Sequence, residues 1–270
     1  MSAAVTQEWF DDHLAPRRDA DSDFTLAIPE GWEQGRAVFG GLVLGGMVRA
    51  MAAVLAAPER RLRSLSAELI ASPSPGETQV HVRLLRAGNS VTTLSAELSQ
   101  NNALLAHATG IFGHARPVTE QFQILQPPAA PKWQDVQALD MNVPFAPKFT
   151  QHFEYRPLQA FPFSGDVSGQ TIGYIRPRSP VHAFDDAVVT AMADAWWLAT
   201  MVRLSAPRPA ATLSFSLDLH HPAQAVGDEP LLHRGSLLAM GEGYASELRE
   251  LWTTDGNLVS VNRQLVAIIK

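Results

Sequence analysis

The stretch GRAVFGGLVLGGMVRAM, Gly35 to Met51, carries two adjacent glycine pairs, Gly40-Gly41 and Gly45-Gly46, in an apolar run interrupted by Arg49. Glycine costs a helix interior roughly 1 kcal/mol against alanine, so a helix here must gain from its bare backbone. Gly41 and Gly45 fall one turn apart and form a small-residue stripe where a second backbone can come close. The spacing predicts a core helix over 40–56, gripped at that stripe by a curved sheet. A glycine pair at a helix start also leaves N–H groups unshielded, ready for an oxyanion or a carbonyl oxygen. Arg49 and the glycines argue against a membrane span, which needs about 20 clean apolar residues.

Working outward, the chain reads as two copies. An apolar helix precedes SLSAELIASPSPGE (64–77) in the first half, and a second one over 186–202 precedes TLSFSLDLHHPAQAVGDE (212–229). Ser64-Leu65-Ser66 matches Thr212-Leu213-Ser214, Gly88 matches Gly241, and Asn102-Ala103-Leu104-Leu105 matches Gly256-Asn257-Leu258-Val259. After each helix, apolar and polar residues alternate in long runs broken by turn signals such as AGNS and TTDGN, the pattern of antiparallel hairpins. Prolines crowd residues 116–162, which stops regular helix. The predicted organisation is an N-terminal unit over 1–115, a proline-rich linker over 116–150 and a C-terminal unit over 151–270.

Composition narrows the function. The chain has 270 residues, 46% of them hydrophobic, and a net charge of −6. Its arginines are scattered, which gives no footprint for a phosphate backbone and no nucleic-acid partner. Cysteine is absent, so thiolate nucleophiles and cysteine metal sites are excluded. The acidic N-terminus has no apolar segment of signal-peptide type, and the expected location is cytoplasmic. No HExxH, GxSxG, GxGxxG or P-loop pattern occurs, so no metal and no cofactor is expected. His220 and His221 are adjacent on a strand, point to opposite faces and make a poor chelating pair.

EGWEQGRAVFGG with its apolar helix, the duplicated layout, and the run AMADAWW…ATLSFSLDLHHP…LVSVNRQ resemble the acyl-CoA thioesterase II family over residue 20 to the C-terminus. The resemblance implies an α+β double hotdog fold: two antiparallel sheets, each wrapped around a long helix, related by a pseudo-twofold. It implies hydrolysis of acyl-CoA thioesters, with Asp194 as the catalytic carboxylate and with Thr212 and Gln264 holding a water. Two positions depart from the family pattern, Leu42 after the glycine pair and Leu265 after the glutamine. Phe39, Gly40 and Gly41 are the expected substrate-binding turn, reaching the thioester from the other copy. The outer strand edges and sheet faces of such a chain predict a homo-oligomer.

Asp194 also stands out on its own, as the only charge between Asp186 and Arg203 on an apolar helix. A carboxylate there is costly, and burial would make it a stronger base. Simple strand alternation puts Thr212 on one face with Ser214, Ser216 and Asp218, and Asn262 with Gln264. Asp218 is the alternative carboxylate. A hotdog hydratase would need a histidine beside the acid, and the helix offers none. The non-enzyme alternative is an acyl-CoA or lipid-binding double hotdog protein without turnover.

Overall fold

A computed structural model describes residues 8–117, 120, 122–143, 146–220, 222 and 229–269; His221 lies outside the described residues. The first half runs β1 (Arg17–Arg18), β2 (Asp23–Ile28), β3 (Glu33–Gln34), β4 (Ala37–Val38), helix α1 (Gly40–Leu55), β5 (Arg61–Leu69), β6 (Gly76–Ala87), β7 (Val91–Gln100) and β8 (Ala103–Gly113). The second half repeats the pattern as β9 (Phe153–Gln159), β10 (Gln170–Pro177), helix α2 (Asp186–Ala195), the short helix α3 (Ala199–Arg203), β11 (Ala210–Leu219), β12 (Leu231–Gly241), β13 (Tyr244–Trp252) and β14 (Leu258–Ile268). Two helix-then-strands copies are therefore present.

The expectation of two sheets is corrected. Twelve strands form one sheet in the order β1-β2-β6-β7-β8-β5-β11-β14-β13-β12-β10-β9. The halves join where β5 pairs antiparallel with β11, Ser66 opposite Ser216. Pairing the two strands with each other removes the edge each would otherwise expose. Both strands carry a bulge, at Arg63 between Leu62 and Ser64 and at Leu213 between Thr212 and Ser214. The bulges lie 150 residues apart (213 − 63), so matching Ser64 to Thr212 was out by two on this strand.

The bulge also reorients Thr212. An extra residue in a strand reverses the faces beyond it. Thr212 consequently sits on the inner side with Phe215 and Leu217, where it bonds Gln264, while Ser216 and Asp218 stay exposed on the outer side. Simple alternation had grouped Thr212 with Asp218.

The two helices pack against each other on the inner side of the sheet. A Cβ on Gly41 would lie 2.7 Å from the Ala191 carbonyl oxygen, and one on Gly45 would lie 3.1 Å from that of Ala187. The glycine stripe therefore admits the backbone of α2 rather than the sheet. Gly46 is the residue that admits the sheet, with Leu26 of β2 at 2.5 Å from its would-be Cβ. One aromatic core serves both halves: Phe39 stacks on Phe149 at 4.3 Å, and Phe10 packs edge-on against Phe153.

The second long helix is shorter than the sequence predicts, ending at Ala195 instead of running to 202. Trp196 is extended (φ −75°, ψ 152°) and turns into the sheet. There its indole Nε1 donates to Thr171 Oγ1 at 2.6 Å, and its ring stacks on His233. Gly173 makes the space, since a Cβ there would stand 2.4 Å from Trp196. No helix among the described residues is long and apolar enough to cross a membrane.

Gly41→Ala gains about 1 kcal/mol of helix propensity but drives a methyl into the Phe39 ring and the Ala191 carbonyl. A net loss of roughly 1–3 kcal/mol in urea unfolding is expected, the usual cost of overpacking. An unchanged or higher midpoint would show that the helices are not held this close.

Candidate active site

The three residues expected to act together do meet, on α2, β11 and β14. Thr212 Oγ1 donates to Gln264 Oε1 at 3.0 Å, and Gln264 Nε2 donates to Asp194 Oδ1 at 3.0 Å. The glutamine is 1% exposed, and its amide also donates to Asn262 Oδ1 at 2.9 Å. Asn262 is fixed in turn by donating to the Ser216 carbonyl at 2.9 Å. These partners leave Gln264 one orientation, NH₂ toward the carboxylate and carbonyl toward the threonine hydroxyl.

Asp194 lies one residue before the end of α2, half-buried and walled in by protein. Burial pushes its carboxyl above the ordinary value of 3.8. Arg249, the Gln264 hydrogen bond and the Gly41 backbone N–H pull the other way. Glu247 adds to the upward push. The net result is a more basic carboxylate than a surface aspartate.

The Phe39-Gly40-Gly41 turn, expected to bind the substrate, lies against this carboxylate from the other half. A Cβ on Gly40 would stand 2.9 Å from Asp194 Oδ2 and 3.0 Å from Leu69. The Gly41 N–H of that turn lies near the Asp194 carboxylate and pulls its pKa down. Leu265 faces away, 37% exposed on the outer side, so that departure stands behind the site. Leu42 is buried in the core. Asp218 and His220 are exposed and take no part.

Sequence reasoning missed the pair that frames Asp194 from β13. Glu247 and Arg249 are both buried and ion-paired at 3.3 Å. Their signal was available: in YASELRELW they share the strand face of Ala245 and Leu251, and charges on an apolar face call for partners. Tyr155 of β9 was missed too; its hydroxyl donates to the Ala195 carbonyl at 2.8 Å. Burial, with the nearby Asp194 charge, holds that phenol well above its ordinary 10.0.

A constant offset between the halves matches this place to a second one at the other ends of the helices, where Arg49 of α1 meets Asp185 at the start of α2. Phe184-Asp185-Asp186 follows Phe39-Gly40-Gly41 by 145 residues (184 − 39), and Asp194 follows Arg49 by the same interval (194 − 49). There the charges are exchanged. Arg49 stands where Asp194 would, and it pairs with Asp185, in the place of Gly40, at 3.0 Å. It also pairs with Asp11 at 3.0 Å, which draws the N-terminal segment across.

Comparison with solved structures defines the class. A conserved protein of unknown function with a hot dog fold from Alicyclobacillus acidocaldarius is 22% identical, with TM-score 0.87 over 97% of this chain and 98% of that one. A putative thioesterase II from Thermobifida fusca is 20% identical, with TM-score 0.83 over 96% and 98%. An acyl-CoA thioesterase II from Mycobacterium marinum is 19% identical, with TM-score 0.76 over 96% and 97%. The fold is thus a hot dog fold.

The family models go further than the fold. An acyl-CoA thioesterase N-terminal domain matches residues 28–113, and an acyl-CoA thioesterase C-terminal domain matches residues 123–268. The chain belongs to the acyl-CoA thioesterase family, whose chemistry is thioester hydrolysis. No curated protein matches it significantly.

His233 of β12 gives this neighbourhood a pH dependence. It is fully buried, with no hydrogen-bond partner for either ring nitrogen among the described residues. Burial, reinforced by Arg249, holds it well below the ordinary 6.5. The unfolded chain therefore takes up a proton near pH 6.5 that the folded chain refuses, and stability falls as pH drops below that value. His233→Phe keeps the stack on Trp196 and is expected to flatten the melting temperature below pH 6.5. A slope as steep as the wild type's would place the acid sensitivity elsewhere.

Proposed function

We propose that the protein hydrolyses acyl-CoA thioesters with Asp194 as general base. The observation that carries this reading is the continuous chain Thr212–Gln264–Asp194 seated against the glycine start of α1. Asp194 takes a proton from water, and the resulting hydroxide attacks the thioester carbonyl. Collapse of the tetrahedral intermediate then expels CoA thiolate and leaves the free acid. Gln264 and Thr212 orient the carboxylate and the water. The carbonyl oxygen is polarised by the Gly40 N–H, one of the orphan donors of the first turn of α1.

The wider reading is a double hot dog chain of two units, 1–115 and 151–270, joined by 116–150. It acts without metal or cofactor and assembles through the outer face of its sheet. Ile111 of β8 and Leu265 of β14, both exposed on the outer side, support an assembly that covers that face. Light scattering at micromolar concentration is expected to give a dimer or larger species; a strict monomer would refute the assembly.

Thiol release from a panel of acyl-CoAs of increasing length, followed with Ellman's reagent, tests the reaction. Saturable binding with no thiol released would make the protein a binding module instead. Asp194→Asn is expected to lower kcat by roughly 10²- to 10⁴-fold with little change in KM. Thr212→Ala and Gln264→Ala should each cost less, and the triple variant should fall well short of the product of the singles. Because the folded state raises the Asp194 pKa, its stability contribution is present at low pH and lost as pH rises through that value. The asparagine should therefore also raise the melting temperature at neutral pH. Near-wild-type turnover in Asp194→Asn would remove the aspartate from the mechanism.

A further inference from the structure

We propose that Arg249 and Glu247 are positioning residues for Asp194: one buried ion pair that closes the end of α2 and the start of α3 and so fixes where the Asp194 carboxylate stands. The inference rests on the reading of Asp194 as the base. Arg249 Nη1 lies 3.5, 3.4 and 3.2 Å from the carbonyl oxygens of Ala193, Asp194 and Trp196, the last acceptors of α2 and of the turn that follows. Its Nη2 donates to Glu247 Oε2 at 3.3 Å. Glu247 answers on the far side of the break. Its carboxylate accepts the N–H groups of Ala199 and Thr200 at 3.1 and 2.7 Å, and the Thr200 hydroxyl at 2.5 Å.

A cation thus closes the carbonyl end of α2 and an anion closes the amide end of α3, each the charge that end prefers. Both come from one strand, two residues apart, so the α2–α3 break is pinned to β13. The break fixes where Asp194 sits, because Asp194 is the next-to-last residue of α2.

Stability alone does not account for the pair. Two buried charges can often be replaced by apolar side chains at no loss. Arg249 Nε, moreover, has no hydrogen-bond partner among the described residues. What an apolar replacement cannot supply is a cation behind a carboxylate that burial pushes toward neutrality. Among the described residues, the other elements around Asp194 bring no competing charge. α1 presents Gly40 and Gly41, β14 presents the neutral Gln264 and Asn262, β9 presents Tyr155 as a neutral phenol, and β12 presents His233 as a neutral imidazole. The balance on Asp194 is therefore struck between Arg249 and Glu247.

Opposite signs make the test sharp. The acid limb of kcat/KM against pH is to be measured for wild type, Arg249→Met, Glu247→Gln and the double variant. Carbon-13 NMR titration of the Asp194 carboxyl, assigned with Asp194→Asn, is to be run on the same proteins. Arg249→Met is expected to move both the limb and the titration to higher pH, and Glu247→Gln to lower pH. The double variant should return toward wild type, and Arg249→Lys, which keeps the cation, should stay near it. A purely structural pair would lower melting temperatures and leave the titration in place, or shift it the same way in both single variants; either outcome overturns the proposal. The NMR arm needs no turnover. If the wild type releases no thiol from any acyl-CoA, the proposed function fails while the proposal about Arg249 and Glu247 is still decided by the titration.

Discussion

The structure depends on one close approach, the start of α1 lying against the end of α2. With Gly41 and Gly45 facing the carbonyls of Ala191 and Ala187, the helices meet backbone to backbone, and the two halves share a core instead of merely touching. The same approach delivers the Asp194 carboxylate to the amide end of α1, where the N-terminal dipole and the Gly41 N–H receive it. Packing and chemistry thus use neighbouring glycines: Gly41 and Gly45 admit the backbone of α2, while a side chain at Gly40 would push on Asp194 Oδ2 and on Leu69.

Around that contact the chain accepts an electrostatic cost. Desolvating a carboxylate works against folding, and the neighbourhood returns only part of that energy through a glutamine amide, a backbone N–H and a guanidinium. His233 and Arg249, buried with nitrogens unanswered among the described residues, add to the cost. Sites that keep strained charge in this way trade stability for reactivity.

Much of this was legible in the sequence, for reasons that also explain what was not. The duplication and the glycine helix could be read because period and order survive loop insertions. Asp194, Thr212 and Gln264 could be placed through resemblance, and the structure brings all three together. The orientation of Thr212 could not be read, because one bulged residue at Leu213 reverses the faces and leaves no mark in the pattern of polar and apolar residues. The early end of α2 was hidden for a related cause: Trp196 is a tolerable helix residue, and only its partners Thr171, Gly173 and His233, distant in sequence, draw it out. The union into one sheet was likewise invisible, since β5 and β11 each read as an ordinary strand. Glu247 and Arg249 are readable as charges on an inward face, but their partners at the ends of α2 and α3 are distant in sequence.

The exchange of Arg49 for Asp194, and of Asp185 for Gly40, separates a fused chain from a dimer of separate units. In a symmetric dimer each substitution is made twice, so an arginine placed to anchor a flanking segment would also take the position of the carboxylate proposed as the base. Covalent fusion lifts that constraint. One end of the helix pair can then be given to holding the N-terminal segment through Arg49, Asp11 and Asp185, while the other keeps its carboxylate and its bare backbone. The helix pair is equipped differently at its two ends, so under the proposed function a single end per polypeptide receives the thioester even though the order of elements repeats.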